Sequence, residues 1–443
     1  MRQILLILIC LMPGAAFACA LPPSIILTLP TGHYITAAAL TVAFTVAMGL
    51  WVDRLPRLGS NTLYEGRVLI PEVVSSYLSL LVFLGLVFIG IFGSRDPMHN
   101  LLTLVFWTGV WIVVPLASMV FGNIWQAINP WTAAVKITRN LLGRRGDIGL
   151  SRLGAWPAVL GLAGFSWFEM VSLSPEDPFV LAQAAVTYWV VIYLLAVLEG
   201  EDWLQQGEFL TLMMRLLAKV APLWVESDGR RMALKAGWPG SQILTMAPLR
   251  LSEMAFVTAL LASLSFDGFM DTYVWLAWIG ENPLEPTGRS AVVWQNSLGL
   301  AASWVLTALT LWAVIRAGRL PAGPVMLSFL AIAAGYHAAH YFVTLLTAGQ
   351  YVLAALNDPF FRGDSYLGLD DFFVSFGFLT DGGLMPMIYA VQFAAILGAH
   401  LLAVLLSLRL AGEVRALSHL PLAVLMVGYT VLGLWLLSTA RSG

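Results

Sequence analysis

Apolar runs of about 18 to 25 residues recur along almost the whole chain, and short connecting segments hold most of its charge. A run of about 20 apolar residues can cross a hydrocarbon core of about 30 Å as a helix. On that rule the pattern predicts about ten spans, near residues 35–52, 71–93, 101–121, 154–173, 179–199, 251–270, 291–315, 325–347, 386–408 and 420–438. The expected fold is an all-α, polytopic transmembrane helix bundle forming one domain over residues 19–443. Ahead of it, MRQILLILICLMPGAAFACA has one basic residue, an apolar core from Ile4 to Met12, a Pro13-Gly14 break and a small-x-small site at Ala16-Phe17-Ala18. That three-part pattern reads as a cleaved signal peptide over residues 1–18. Cys19, directly after the cleavage point, also suits lipidation.

The connections sort by charge. Arg54, Arg57 and Arg67, then Lys136, Arg139, Arg144, Arg145 and Arg152, then Arg215, Lys219, Arg230, Arg231, Lys235 and Arg250, then Arg316, Arg319, Arg409 and Arg415 all fall on one side. Only Arg95, Arg289, Arg362 and Arg441 fall on the other. Lys and Arg collect on the inner side of a membrane, so both mature termini are expected outside, in a bacterial-type inner membrane. Two long inner loops, 122–153 and 200–250, and one outer loop, 348–385, follow from this topology. Asn129-Pro130-Trp131 in the first inner loop is expected to stop one helix and start another, as a re-entrant or interfacial turn. In the second, the segment from Gly207 to Trp224 has the pattern of an amphipathic helix, either docked as a connector or lying in the interface.

Composition narrows the function. The 443 residues are 59% hydrophobic and 11% charged, with mean hydropathy +0.83. A soluble domain is typically about a quarter charged, so the bilayer is the first expected partner. A net charge of -2 gives no footprint for nucleic acid. The two cysteines, Cys10 and Cys19, both lie in the N-terminal segment and offer neither a disulfide framework nor a CxxC site.

Candidate chemistry comes from polar residues inside apolar runs, because an ionisable group at membrane depth is costly and points to function. His337 and His340 lie three apart in AAGYHAAHYFVTLLTAGQY, about 18 and 23 Å from the inner end of their predicted span. Glu169 of FSWFEM, Asp267 and Asp271 of SFDGFMDTYVW, and Gln392 are expected at a similar outer depth, with His400 deeper, about 20 Å below the outer end. Gln350 is a further candidate lining residue. Together they suggest a polar pocket open to the outer face. His337, His340 and Asp267 would suit Zn²⁺, Fe²⁺ or Mn²⁺, and a metal-bound water could act as nucleophile with Asp271 or Glu169 as general base. Two further readings use the same residues: interhelical hydrogen bonding, and haem ligation by His337, His340 or His400. His33, His99 and the acidic outer-loop residues Asp358, Asp364, Asp370 and Asp371 read as solvated groups, and His419 falls on the inner side.

Five segments together resemble one family: LTLPTGHYITAAA, the Asn129–Trp131 turn, the FDGFMDT stretch from Asp267 to Thr272, the HxxHY and GQ pair between His337 and Gln350, and QFAAILGAH from Gln392 to His400. They resemble the integral-membrane proteins named after fenitrothion hydrolase, an organophosphate-degrading activity. The resemblance implies a membrane-bound hydrolase of phosphotriester or phosphorothioate esters, taking an apolar small molecule at the outer face, and it assigns no catalytic residues. A two-metal centre of the soluble phosphotriesterase kind is not expected, since the outer cluster offers at most His337 and His340. The alternative expectation is a non-enzymatic permease or a metal- or haem-binding membrane protein. A partner subunit could complete the site in either case.

Overall fold

The structure is a computed structural model, and it describes residues 31–51, 59–68, 70–285, 287–370 and 373–439. The predicted signal peptide, with Cys10 and Cys19, lies outside the described residues, as does Asp371. The helices are α1 (Thr31–Trp51), α2 (Glu72–Phe92), α3 (Leu101–Phe121), α4 (Thr132–Leu141), α5 (Trp156–Met170) and α6 (Pro178–Glu199). They continue with α7 (Phe209–Leu217), α8 (Leu251–Met270), α9 (Val293–Gly318), α10 (Phe329–Asn357), α11 (Leu384–Leu410) and α12 (Leu420–Ser438), joined by shorter turns.

Helix starts follow local chemistry. Before α6, the Asp177 carboxylate accepts from the backbone N–H groups of Phe179 and Val180, and Pro178 occupies the first position, where its missing N–H costs nothing. Asn100 opens α3 by accepting from Leu102 N–H at 3.0 Å. Where α8 begins, the Glu253 side chain reaches back to the Arg250 N–H at 2.9 Å.

Among the described residues, eight helices are long and apolar enough to cross a membrane, which fits a multi-pass membrane protein. The other two predicted spans also form helices but are shorter as apolar units. The apolar part of α1 is Gly32–Ala47, and α5 has 15 residues, reaching about 22 Å against a hydrocarbon core of about 30 Å. At the opposite extreme, α10 has 29 residues and runs to Asn357, ten beyond the predicted end of its span at 347. Its length of about 42 Å exceeds that hydrocarbon thickness. The histidine pair therefore sits in the first half of α10, and the connection that follows this helix contracts to the segment between Asn357 and Leu384.

The fold is mostly helical but not purely so. Strands β1 (Ser60–Arg67), β2 (Leu223–Ser227) and β3 (Arg231–Gly237) form an antiparallel sheet in the order β1-β3-β2. The β2–β3 hairpin turns at Asp228-Gly229, where Gly229 takes φ +88° and Asp228 accepts from the N–H groups of Arg230 and Arg231. Asp-Gly between two strand-forming runs is a strong hairpin signal, and the reading of residues 200–250 as a loop with one amphipathic helix from Gly207 to Trp224 passed over it.

The predicted break at Asn129-Pro130-Trp131 separates a one-turn helix, Ile124–Ile128, from α4. Asn129 Oδ1 accepts from Trp131 N–H at 2.9 Å, while its amide donates to Thr211 Oγ1 at 3.0 Å. The amphipathic segment after Gly207 is a docked connector, since α7 buries Phe209 through Met214 together with Leu216 and Leu217. The Glu208 carboxylate caps α7 and accepts from Leu210 N–H, Thr211 N–H, the Thr211 hydroxyl and the Tyr188 hydroxyl. These bonds make the inner loops part of the packed core and leave α10 at its centre.

Candidate functional site

The first half of α10 is buried from Phe329 through Tyr341 on several faces, packed among α3, α7, α8 and α11. Close helix approach makes this burial possible. A Cβ on Gly335 would lie 2.2 Å from the Ala399 Cβ of α11, and one on Gly268 of α8 would lie 2.1 Å from the Tyr336 hydroxyl. Both glycines are needed for distance rather than for backbone conformation. They draw α8 onto the side of α10 that carries Tyr336 and His340, and α11 onto the side that carries Gly335 and Ala339.

Asp267, in the last turn of α8, is the hub. Its Oδ2 lies 2.8 Å from His340 Nε2 and accepts the Tyr341 hydroxyl at 2.9 Å. The Tyr341 oxygen in turn accepts the Trp111 indole N–H at 2.9 Å, and Glu169 Oε1 of α5 lies 3.4 Å from the same hydroxyl. A carboxylate, an imidazole, a phenol and a second carboxyl from three helices are thus joined through hydrogen bonds, with the indole of α3 fixing the phenol. The Asp267 and His340 side chains retain 19% and 9% exposure, which makes the pair largely desolvated. A cavity of about 10 Å³, the volume of about one water molecule, is lined here by Glu169, Asp267, Tyr341, Trp111, Ser166 and Ser263 among others. The two serines hydrogen-bond at 3.0 Å, and Trp304 Nε1 donates to Ser263 at 3.0 Å. Arg289, at the start of a short turn before α9, donates to the Glu169 main-chain oxygen at 2.8 Å and brings a guanidinium to the mouth of the cluster.

His337 takes a different course. Its Nε2 lies 3.0 Å from the Trp111 carbonyl, and its ring meets the Tyr341 ring at 4.8 Å between centroids. Trp111 lies within Val105–Val113, which takes the wider π-helical winding and ends shortly before Pro115, a residue with no N–H to donate. His337 Nε2 donates to the Trp111 carbonyl, which ties α10 to α3 at this irregular stretch. The expected metal set of His337, His340 and Asp267 is consequently not brought together: one imidazole is engaged on a backbone carbonyl, the other on the carboxylate. Among the described residues, no group of three or more His, Cys, Asp and Glu is arranged to hold a metal ion.

The remaining predicted residues are placed as follows. Asp271 is the residue after α8, four residues beyond the hub. Gln392 is buried on α11 and donates to the Ala339 carbonyl at 2.7 Å, between the two histidines, so it holds α11 to α10. Gln350 donates to the Leu346 and Ser375 carbonyls and accepts from Ser375 N–H, so it pins the outer loop. His400, 2% exposed, places Nδ1 2.8 Å from the Ile396 carbonyl of its own helix and faces a second cavity.

Outside the bundle, His99 pairs with Asp96 at 2.8 Å, His33 is exposed on α1, and His419 is buried just before α12. Asp358 accepts the N–H groups of Arg362, Gly363 and Asp364. Although desolvation pushes the Asp358 carboxyl up, those backbone N–H groups outweigh it and hold the group below the usual carboxylate range. Asp364 accepts the Tyr366 hydroxyl at 3.1 Å. The outer acids described are therefore engaged in shaping the loop.

Sequence reasoning missed Tyr341, Trp111 and Tyr336. Tyrosine and tryptophan are ordinary in membrane helices and raise no flag by composition. Tyr341 directly follows His340, and the contacts of Trp111 and Tyr336 arise only where helices distant in sequence pack together. Comparison of the chain with protein-family models, curated proteins and solved structures finds no match.

Proposed function

We propose that this protein is a multi-pass membrane hydrolase whose catalytic centre is the Asp267–His340 pair, with an apolar ester of the phosphotriester or phosphorothioate class as substrate. One observation carries the proposal: Asp267 Oδ2 engages both His340 Nε2 and the Tyr341 hydroxyl beside a water-sized space walled by Glu169. A desolvated carboxylate backed by an imidazole is a competent general base for water, and a second carboxyl across the same space can return a proton to the leaving group. Tyr341 orients Asp267, while Trp111 orients Tyr341. The positive-inside distribution of charge supports an orientation with both mature termini outside, and the sequence resemblance supports the ester class. In this reading the ester approaches from the lipid, and the leucines lining the cavity, Leu162, Leu260 and Leu264, keep bulk water out.

The test is turnover of fenitrothion by the purified protein in nanodiscs, followed by the absorbance of the released nitrophenol. Asp267→Asn and His340→Gln are each expected to lower kcat by about 10² to 10⁴-fold, the range of a lost general base. Chelation is expected to leave the rate unchanged, with metal content measured on the same sample. No turnover by the unaltered protein would sink the hydrolase reading.

The volume of the cavity favours a second reading, in which the same centre handles protons rather than an ester. About 10 Å³ admits water but no ester without helix displacement. Protein-dependent acidification of reconstituted vesicles, abolished by Asp267→Asn, together with absent ester turnover, would select it.

A further inference from the structure

A second cavity of about 10 Å³, the volume of about one water molecule, lies between α8, α10, α11 and α12, lined by Ser265, Tyr336, His400 and Tyr429 among apolar residues such as Leu261 and Ile332. Close packing borders it: a Cβ on Gly433 of α12 would lie 3.3 Å from Ile396 Cδ1 of α11, one turn from His400. His400 is 2% exposed, and its ring chemistry is constrained. A carbonyl oxygen only accepts, so the 2.8 Å contact from Nδ1 to the Ile396 oxygen requires the proton on Nδ1, and Nε2 keeps a lone pair. That Nε2 is buried and has no hydrogen-bond partner among the described residues.

The lining sets the chemistry of the ligand. Among the described residues, no Asp, Glu, Lys or Arg lines the cavity, so an ion would find no opposite charge there. Ser265 Oγ donates its one proton to the Leu261 carbonyl at 2.8 Å, so it accepts in its side-chain hydrogen bond with Tyr429 and keeps one further lone pair. The cavity therefore offers two acceptors, on His400 of α11 and Ser265 of α8, and room for one small molecule that donates twice. Water does so, and two polar partners are the fewest that hold a buried water.

We propose that this cavity is a binding site for one water molecule, which donates to His400 Nε2 and Ser265 Oγ and thereby ties α11 to α8 beside α12. The site is separate from the Asp267–His340 pair and does not depend on its chemistry. It accounts for a histidine deep in an apolar helix without a catalytic role: one ring nitrogen bonds a carbonyl of its own helix, and the other holds the water. A buried acceptor without a donor is costly, so this water belongs to the fold and is retained in the assembled bundle.

The experiment is solid-state NMR of the isotope-labelled, unaltered protein in lipid vesicles, with the His400 ring assigned through its coupling to its own backbone. Nδ1 is expected to carry the proton. Nε2 is expected to show the ¹⁵N shift of an imine nitrogen accepting a hydrogen bond, with magnetisation reaching it directly from water protons. Tyr336→Phe and Tyr429→Phe are each expected to keep that shift, because the donor is water. A proton on Nε2, a free lone-pair shift there, or no transfer from water would overturn the site, and these readings need no variant to fold. Loss of the hydrogen-bonded shift in a tyrosine variant that keeps the wild-type Nδ1 signal would also overturn it, since the donor would then be that tyrosine's hydroxyl.

Discussion

At the scale of single residues, the cluster depends on hydroxyl and indole groups as much as on its ionisable members. Tyr341→Phe removes the donor to Asp267 and strands the Trp111 indole N–H, which is buried with its tryptophan at 5% exposure. A stranded buried donor costs about 1 to 3 kcal/mol in water-soluble cores, but interhelical hydrogen bonds in membrane bundles average only about 0.6 kcal/mol, because the unfolded chain in lipid also finds partners. The membrane value is the better guide here, so a loss of about 1 kcal/mol is expected in a detergent unfolding titration. The same variant is expected to lower the kcat of ester turnover far more than it disturbs KM, since its hydroxyl orients the base and not the substrate. A change confined to KM would show that Tyr341 lines a binding surface instead. What the sequence made legible at this scale was the set of ionisable residues in lipid-compatible runs, and Asp267, His340 and Glu169 do come together. His337 is engaged instead on the Trp111 carbonyl of α3, a contact that depends on which helix packs against it. Spacing along one chain segment does not contain that information.

At the scale of elements, apolar run length located the helices closely, because a span announces itself by exclusion of charge. It failed where residues beyond the hydrocarbon continue a helix, as α10 does to Asn357, and where short amphipathic strands such as β1 pair through the backbone. The outer connection after α10 ends in a capped helix start: Asp381 accepts from the N–H groups of Leu384 and Gly383, and these hold its carboxyl below the usual range. For a carboxyl lowered in the folded state, the stabilisation is present above the unfolded value of about 3.9 and is lost as pH falls through the folded value. Acidification below about pH 4 is therefore expected to loosen the start of α11 and expose the outer loop before the bundle opens. Limited acid-protease cleavage within residues 358–383 would report it, and Asp381→Asn is expected to bring the same cleavage up to neutral pH. Cleavage that is unchanged in Asp381→Asn at pH 7 would show that the bonds of Gln350 and Asp358 hold the loop without Asp381.

At the scale of the whole molecule, the proposed chemistry depends on which way the bundle faces, since an ester arriving in the outer leaflet requires the cluster to open towards that leaflet. The basic connections around α4, α7 and the three-stranded sheet would lie inside, and the loop after Asn357 outside. The only cysteines, Cys10 and Cys19, are in the N-terminal segment, so single reporter cysteines can be introduced on a background with both replaced by serine. Ser227, exposed at the β2–β3 hairpin, and Ser365, exposed in the outer loop, are suitable positions. In intact cells, a membrane-impermeant maleimide is expected to label Ser365→Cys and to leave Ser227→Cys unlabelled until the membrane is opened. The reverse pattern would turn the bundle over. It would place the Glu169 cavity towards the cytoplasm, and a hydrolase fed from the outer leaflet would no longer be tenable. Labelling of both positions in intact cells would contradict a sealed bundle with these segments on opposite faces. Because the assay reads only position, it tests the topology independently of any activity.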